Sequence, residues 1–143
     1  MNSNDTKARS ILEKARLVFP SEPLIWIESI RLEIVCDNVK GASLMISKAL
    51  QECPLSGQLW VLAIELEPKH QKKAKALDAL NKCDHDAYVM IAIAKIFIEE
   101  KLIEKARKWF EKATKINPDL GDAWAHYYKM EMSFGEDVIF FLI

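Results

Sequence analysis

The chain has 143 residues, half of them apolar and 29% charged, with 20 Lys and Arg against 21 Asp and Glu. That apolar content excludes a disordered charged tail, and a net charge of −1 is not the footprint of a dedicated nucleic-acid binder. Four Gly and five Pro are too few for a turn-rich all-β chain and favour helices.

Two spacing patterns alternate along the chain. Ala8…Leu12…Ala15…Pro20, at intervals of four, three and five, predicts a helix over 5–17 that Pro20 cannot continue. Trp26…Glu33, seven apart, predicts a helix over 22–35. The first pattern returns as Ala42…Ile46…Ala49…Pro54, a helix over 38–52, and the second as Trp60…Glu67, a helix over 57–67 closed by Pro68. Ala76…Leu80…Cys83 reads as a copy with a shortened end, over 70–82. Met90, Ala94 and Phe97 then predict a helix over 87–99, capped by Asp84 or Asp86, with Met where the other copies have Trp. Ala106…Phe110…Ala113…Pro118 predicts 102–116, and Trp124…Glu131 predicts 120–134, started at Asp119 or Gly121.

The offsets of four and seven are those of an amphipathic helix. Small residues such as Ala42 and Ala106 let a B helix approach its A helix, and bulky Trp26, Trp60, Trp124 and Phe110 fill the space between layers. A helix pair cannot bury its apolar face alone, so pairs stack into a solenoid. The expected fold is all-α, a right-handed α-α superhelix of helix pairs over 1–143: a B helix at 5–17, repeats at 22–54, 57–83 and 87–118, and a half repeat at 120–134. Starting on a B helix and ending on an A helix, the 143 residues read as about four repeats cut from a longer arch, with exposed ends that invite chain–chain contacts. The run Val138-Ile139-Phe140-Phe141-Leu142-Ile143, within an atypical apolar tail at 136–143, departs from the pattern. It is an aggregation risk if exposed, and is expected to fold back on the last A helix or meet another chain.

Candidate chemistry is sparse. The repeat-locked positions of Trp26, Trp60 and Trp124 favour core packing over a base-stacking platform. Trp109, off the stripe, is the better candidate for an exposed aromatic. Glu33, Glu67 and Glu131 occupy one position in different repeats, so they do not converge as general acid–base catalysis requires; each reads as a partly buried carboxylate bonded to a donor on a nearby helix. His70, His85 and His126 are scattered, and Cys83-Asp84-His85 lacks the further ligands of a zinc site. Cys83 reads as a small buried residue in the slot that elsewhere holds Ala. Three cysteines, Cys36, Cys53 and Cys83, make no disulfide framework, so free thiols are expected. The basic run Lys69–Lys75 and the face carrying Lys105, Arg107, Lys108, Lys112 and Lys115 against Glu104 and Glu111 read first as solvated helix surface. No phosphate loop, nucleophile elbow or paired metal motif is present, so neither an enzyme nor a cofactor nor a small-molecule substrate is expected. No apolar run approaches the roughly 20 residues that span a bilayer, so no membrane role is expected. The polar N-terminus lacks the apolar stretch of a secretory signal.

The Trp…Glu offset and the B-helix strings Ala8-Arg9-Ser10-Ile11-Leu12-Glu13-Lys14-Ala15 and Ala106-Arg107-Lys108-Trp109-Phe110-Glu111-Lys112-Ala113 resemble the half-a-tetratricopeptide (HAT) branch of the tetratricopeptide class. Four further stretches, Leu24–Glu33, Met45–Pro54, Asp78–Asp86 and Pro118–Ala125, resemble the C-terminal HAT repeats of the pre-mRNA-processing factor 6 family of tri-snRNP splicing factors. The resemblance implies a nuclear, non-catalytic scaffold that binds other spliceosomal snRNP proteins, with RNA contacts secondary. The alternatives are a co-chaperone-like adaptor for a carboxylate-ended peptide and direct RNA binding. The first needs Lys, Arg and Asn along the groove, whereas Ile27, Val61, Ile91 and Ala125 stand at one groove position and Arg31, Glu65, Lys95 and Lys129 at another, with no Asn. Arg31, Glu65, Lys95 and Lys129 are expected to line the inner, protein-binding surface. The expected repeat core is Trp26, Glu33, Ala42, Trp60, Glu67, Ala94, Ala106, Phe110, Trp124 and Glu131.

Overall fold

In the computed structural model, which describes residues 2–134, eight α-helices follow one another: α1 Ser3–Val18, α2 Pro23–Val35, α3 Val39–Glu52, α4 Gly57–Leu66, α5 Lys72–Lys82, α6 Ala87–Glu99, α7 Ile103–Ile116 and α8 Gly121–Phe134. No strand occurs among the described residues. Each helix lies within two residues of the span the sequence predicts. The apolar tail at 136–143 lies outside the described residues.

The chain forms two compact units, Met1–Lys69 and His70–Ile143. In the first, Trp26, Ile27 and Ile30 of α2 pack with Ala42, Ile46 and Ala49 of α3 and Leu59 and Ala63 of α4. In the second, Met90, Ile91 and Ala94 of α6 enclose Ala106, Phe110 and Ala113 of α7, with Ala123 and Met130 of α8. Phe110 is fully buried and stacks on Tyr127 at 5.5 Å between ring centroids. The alanines explain the close approach: Ala42, Ala49, Ala106, Ala113 and Ala123 are each fully buried, and a larger side chain there would wedge the helices apart. α1 has no buried residue. Ala8, Leu12 and Ala15 are half-buried where Ala106, Phe110 and Ala113 of α7 are buried, because among the described helices α1 packs only on α2 whereas α7 packs on both α6 and α8.

The corner from each B helix to the next A helix is built four times to one plan. Phe19, Cys53, Cys83 and Asn117 each cap a B helix, donating N–H to the carbonyl of Ala15, Ala49, Ala79 and Ala113 at 2.7–3.0 Å. Each cap's carbonyl then accepts the N–H three residues on, from Glu22, Ser56, Asp86 and Leu120. Side chains of Glu22, Ser56 and Asp86 cap the A helices that follow.

This common corner corrects the sequence register of α5. Cys83 is the C-cap, equivalent to Cys53, and the small buried residue one turn earlier is Ala79. Ala76…Leu80…Cys83 is therefore one turn out of step with Ala42…Ile46…Ala49. A four-residue slip in a helix returns to nearly the same face, so both registers satisfy the apolar stripe and the sequence does not separate them. The missing residues come from the α4–α5 connection: α4 has 10 residues and α5 has 11, against 13 and 14 for α2 and α3, and a single 3-10 turn, Lys69–Gln71, joins them. Nor is proline what stops the B helices, since α5 ends at the same point with Asp84 in the proline's place.

The other connections differ. α2 and α6 end with Asp37 and Lys101 in the left-handed region, at φ of 60° and 61°. Asn38 N–H then bonds Glu33 carbonyl and Asp37 N–H bonds Ile34 carbonyl, and Leu102 and Lys101 repeat the arrangement on Phe97 and Ile98. These are Schellman ends without the usual glycine.

Candidate functional site

The HAT signature residues hold two of the B helices, α1 and α7, to the A helix that follows each. Arg9 of α1 reaches Glu33 of α2 through two parallel bonds, Nε to Oε1 at 2.7 Å and Nη2 to Oε2 at 3.2 Å. Arg107 of α7 grips Glu131 of α8 the same way, at 2.6 and 3.1 Å, and also bonds Glu104. Both pairs are 24 residues apart. Asn38 adds a third bond to Glu33 at 2.6 Å while its oxygen caps α3 at Gly41. The Arg9 guanidinium holds the Glu33 carboxyl below the usual carboxylate range, against the opposing effect of burial, with Asn38 adding to the lowering.

In the corrected register, the intermediate rungs also become readable. Ser43 stands where an arginine would face Glu67, which forms the C-cap of α4. Lys73 stands 24 residues before Phe97, and its ammonium lies over that ring at 6.0 Å while pairing with Glu100 at 2.7 Å. Lys105 approaches the same ring at 5.7 Å. The cation is retained at this rung; with Phe97 in the glutamate's place it makes a cation–π contact there and takes its ion pair from Glu100 instead.

A second recurring bond locks the corners. The indole N–H of Trp26, Trp60 and Trp124 donates to the carbonyl of Pro20, Pro54 and Pro118, at 2.7, 2.9 and 2.8 Å. The unit with Met90 in place of Trp also has Asp84 in place of Pro, so both partners are exchanged together. The three equivalent tryptophans differ in burial: Trp26 and Trp60 are 7% and 9% exposed, whereas Trp124 is 50% exposed. Trp124 departs from the expected core position because no described helix covers its outer face.

Of the residues expected to offer a binding surface, Arg31 and Glu65 are exposed in the first unit, with Arg31 paired to Glu28 at 3.2 Å. In the second unit Lys129 is exposed and Lys95 half-buried. These two cations flank His126, whose imidazole is pushed below its ordinary value by burial and then by Lys95 and Lys129, with Asp122 opposing. Ile27 and Ile91 are buried, Val61 half-buried and Ala125 exposed. Trp109 is half-buried against the second core, with the Lys112 ammonium 4.5 Å from its ring centroid.

The sequence carries no local signal for one feature of the first unit. A groove of about 440 Å³ opens between α1 and α3, lined by Arg16, Leu17, Trp26, Leu44, Met45 and Lys48 among others. Arg16 lies over the Trp26 ring at 5.5 Å and donates to Ser29 Oγ at 2.6 Å, which explains why Ser29 is buried. The groove joins residues 32 positions apart, such as Arg16 and Lys48, and only the packing of two B helices on α2 brings them together.

No family model matches the chain. It is 40% identical over 131 residues to Pre-mRNA-splicing factor prp1 of Schizosaccharomyces pombe, across 92% of this chain and 14% of that protein. It is 33% identical over 140 residues to Pre-mRNA-splicing factor 6 of Saccharomyces cerevisiae, across 95% of this chain and 16% of that one. It is 50% identical over 67 residues to human Pre-mRNA-processing factor 6, across 47% of this chain and 7% of the relative. The chain thus spans a small part of the curated relatives it matches. Among solved structures, MamA superposes with a TM-score of 0.57 at 12% identity over 89% of this chain and 77% of that one. YrrB, a tetratricopeptide protein, superposes with 0.54 at 17% identity over 91% and 69%. At these identities the likeness concerns the fold alone, and it places the chain among helical solenoids of tetratricopeptide-like repeats.

Proposed function

We propose that this chain, a stretch of HAT repeats of the pre-mRNA-processing factor 6 family of splicing factors, acts as a non-catalytic protein-binding scaffold in pre-mRNA splicing. The observation that carries the reading is the 40% identity over 131 residues to a splicing factor, covering nearly all of this chain. The geometry supports it: the signature carboxylates Glu33 and Glu131 are committed to arginine forks between helices. Their chemistry is used to hold a surface in shape.

In this reading the work is done in the nucleus, on other spliceosomal snRNP proteins, during tri-snRNP and spliceosome assembly. Exposed Arg31 and Glu65 contribute contacts from the first unit, and exposed Lys129 with half-buried Lys95 contributes contacts from the second. The experiment is capture from nuclear extract with the tagged chain, read by mass spectrometry. Spliceosomal snRNP proteins are expected among the captured set, and Arg31→Glu with Lys129→Glu is expected to weaken capture without changing the melting temperature. Capture of chaperones with no splicing protein would refute the reading.

A further inference from the structure

We infer that α7 is a docking surface for an acidic amphipathic helix of a partner protein. This names the partner's chemistry within the scaffold reading and rests on it. α7 is an internal duplication of seven residues, Ile103-Glu104-Lys105-Ala106-Arg107-Lys108-Trp109 followed by Phe110-Glu111-Lys112-Ala113-Thr114-Lys115-Ile116. Buried Ala106, Phe110 and Ala113 set its inward face. On the opposite face Lys105, Lys108, Lys112 and Lys115 form one row, at steps of three, four and three, with Lys101 preceding them in the α6–α7 connection, and all five are exposed. From Lys105 to Lys115 the row is roughly 15 Å long at 1.5 Å per residue.

Beside it runs an apolar lane at steps of seven, Leu102, Trp109 and Ile116, of which Leu102 and Ile116 are 40% and 44% exposed. Repeats of seven residues are the period at which two helices stay in register along their length. A helix with carboxylates and apolar residues in adjacent lanes of the same period matches both lanes at once.

The row is not a demand of the fold. At the same register α3 has one lysine, Lys48, and α1 has two, Lys7 and Lys14, while α5 has Gln71, Ala74, Asp78 and Asn81. Like charges at these spacings repel, and Lys101 and Lys105 sit at the helix end where cations are disfavoured. None of the five makes an ion pair among the described residues. Lys105 and Lys112 rest over the rings of Phe97 and Trp109, and a partner's carboxylates would supply the ion-pair partners that the row lacks among the described residues.

Nucleic acid fits less well. Arg107, the natural phosphate fork, is held by Glu131 and Glu104. Trp109 is half-buried with Lys112 against its ring, so it offers no free stacking platform.

The test titrates the full chain with a synthetic 21-residue peptide of three heptads, each carrying two glutamates and one leucine on one face. A peptide of shuffled order and an oligo-uridine of 20 nucleotides serve as comparisons, all read by fluorescence anisotropy. The heptad peptide is expected to bind at least tenfold tighter than either, and to shift amide resonances of α7. The triple variant Lys101→Glu, Lys108→Glu, Lys115→Glu is expected to lose at least tenfold. Lys7→Glu, Lys14→Glu, Lys40→Glu, which changes the net charge equally on the first unit, is expected to stay within twofold. Equal binding of the shuffled peptide, tighter binding of the oligo-uridine, equal loss in both triple variants, shifts elsewhere than α7, or no binding would each overturn the inference. Capture of splicing proteins together with failure of the peptide would leave the scaffold reading standing and remove this one.

Discussion

The three tryptophans offer a test in which chemistry is constant and burial is not. Trp26, Trp60 and Trp124 stand at one repeat position, and each donates its indole N–H to a proline carbonyl six residues back at 2.7–2.9 Å. Trp26 is 7% exposed and Trp124 is 50% exposed. Truncating a buried tryptophan to alanine costs about 3–5 kcal/mol, so Trp26→Ala and Trp60→Ala are expected to cost about 4 kcal/mol. Area burial scales with the covered fraction, which leaves Trp124→Ala at about 2 kcal/mol. Trp124→Phe would separate the hydrogen bond, about 1 kcal/mol, from the ring. The assay is urea unfolding followed by far-UV circular dichroism, with hydrogen exchange locating the loss to the unit that carries the change. Equal costs for Trp26→Ala and Trp124→Ala would refute burial as the deciding variable. Costs below 1 kcal/mol for Trp26→Ala and Trp60→Ala would refute their core assignment.

Glu33 titrates below the ordinary carboxylate range in the folded chain, chiefly through Arg9, so its contribution to stability is present above that range and is lost as pH falls through the lowered value. Glu33→Gln is expected to lower the urea midpoint at neutral pH and to converge with the parent in acid; a constant offset at all pH values would contradict the assignment. Gly41→Ala should destabilise, although alanine ordinarily improves a helix interior by about 1 kcal/mol. An added methyl collides with the Asn38 carboxamide, which is committed both to Glu33 and to capping α3; a raised melting temperature would refute the clash. Asp37→Gly should stabilise by roughly 0.5–1 kcal/mol, because Asp37 sits at φ 60°, where a Cβ costs strain that glycine avoids. Asp37→Val at the same site should destabilise, and calorimetric melting reads both.

Period and residue type carried much of the architecture. The four- and seven-residue offsets around Ala42, Trp26 and Phe110 locate the helices because burial acts on one face of a 3.6-residue turn. They also admit an ambiguity of one turn, which is why Ala76 rather than Ala79 reads as the small contact residue of α5. The corner hydrogen bond from Cys83 to Ala79 separates the two registers. With the register settled, Lys73 appears as the rung that corresponds to Arg9 and Arg107, a relation hidden while α5 is aligned one turn away.

The sequence by itself determined an all-helical chain of paired repeats, its family resemblance, and the lysine row of α7, since each depends on neighbours along one helix or on recurring residue types. The tertiary structure alone decided which cation meets which acceptor across helices, that Trp124 stays half exposed while Trp26 is buried, and that a groove lies between α1 and α3. Those outcomes depend on which helix lies against which. Helix-to-helix placement joins residues 24 or more positions apart, through contacts that no local period encodes.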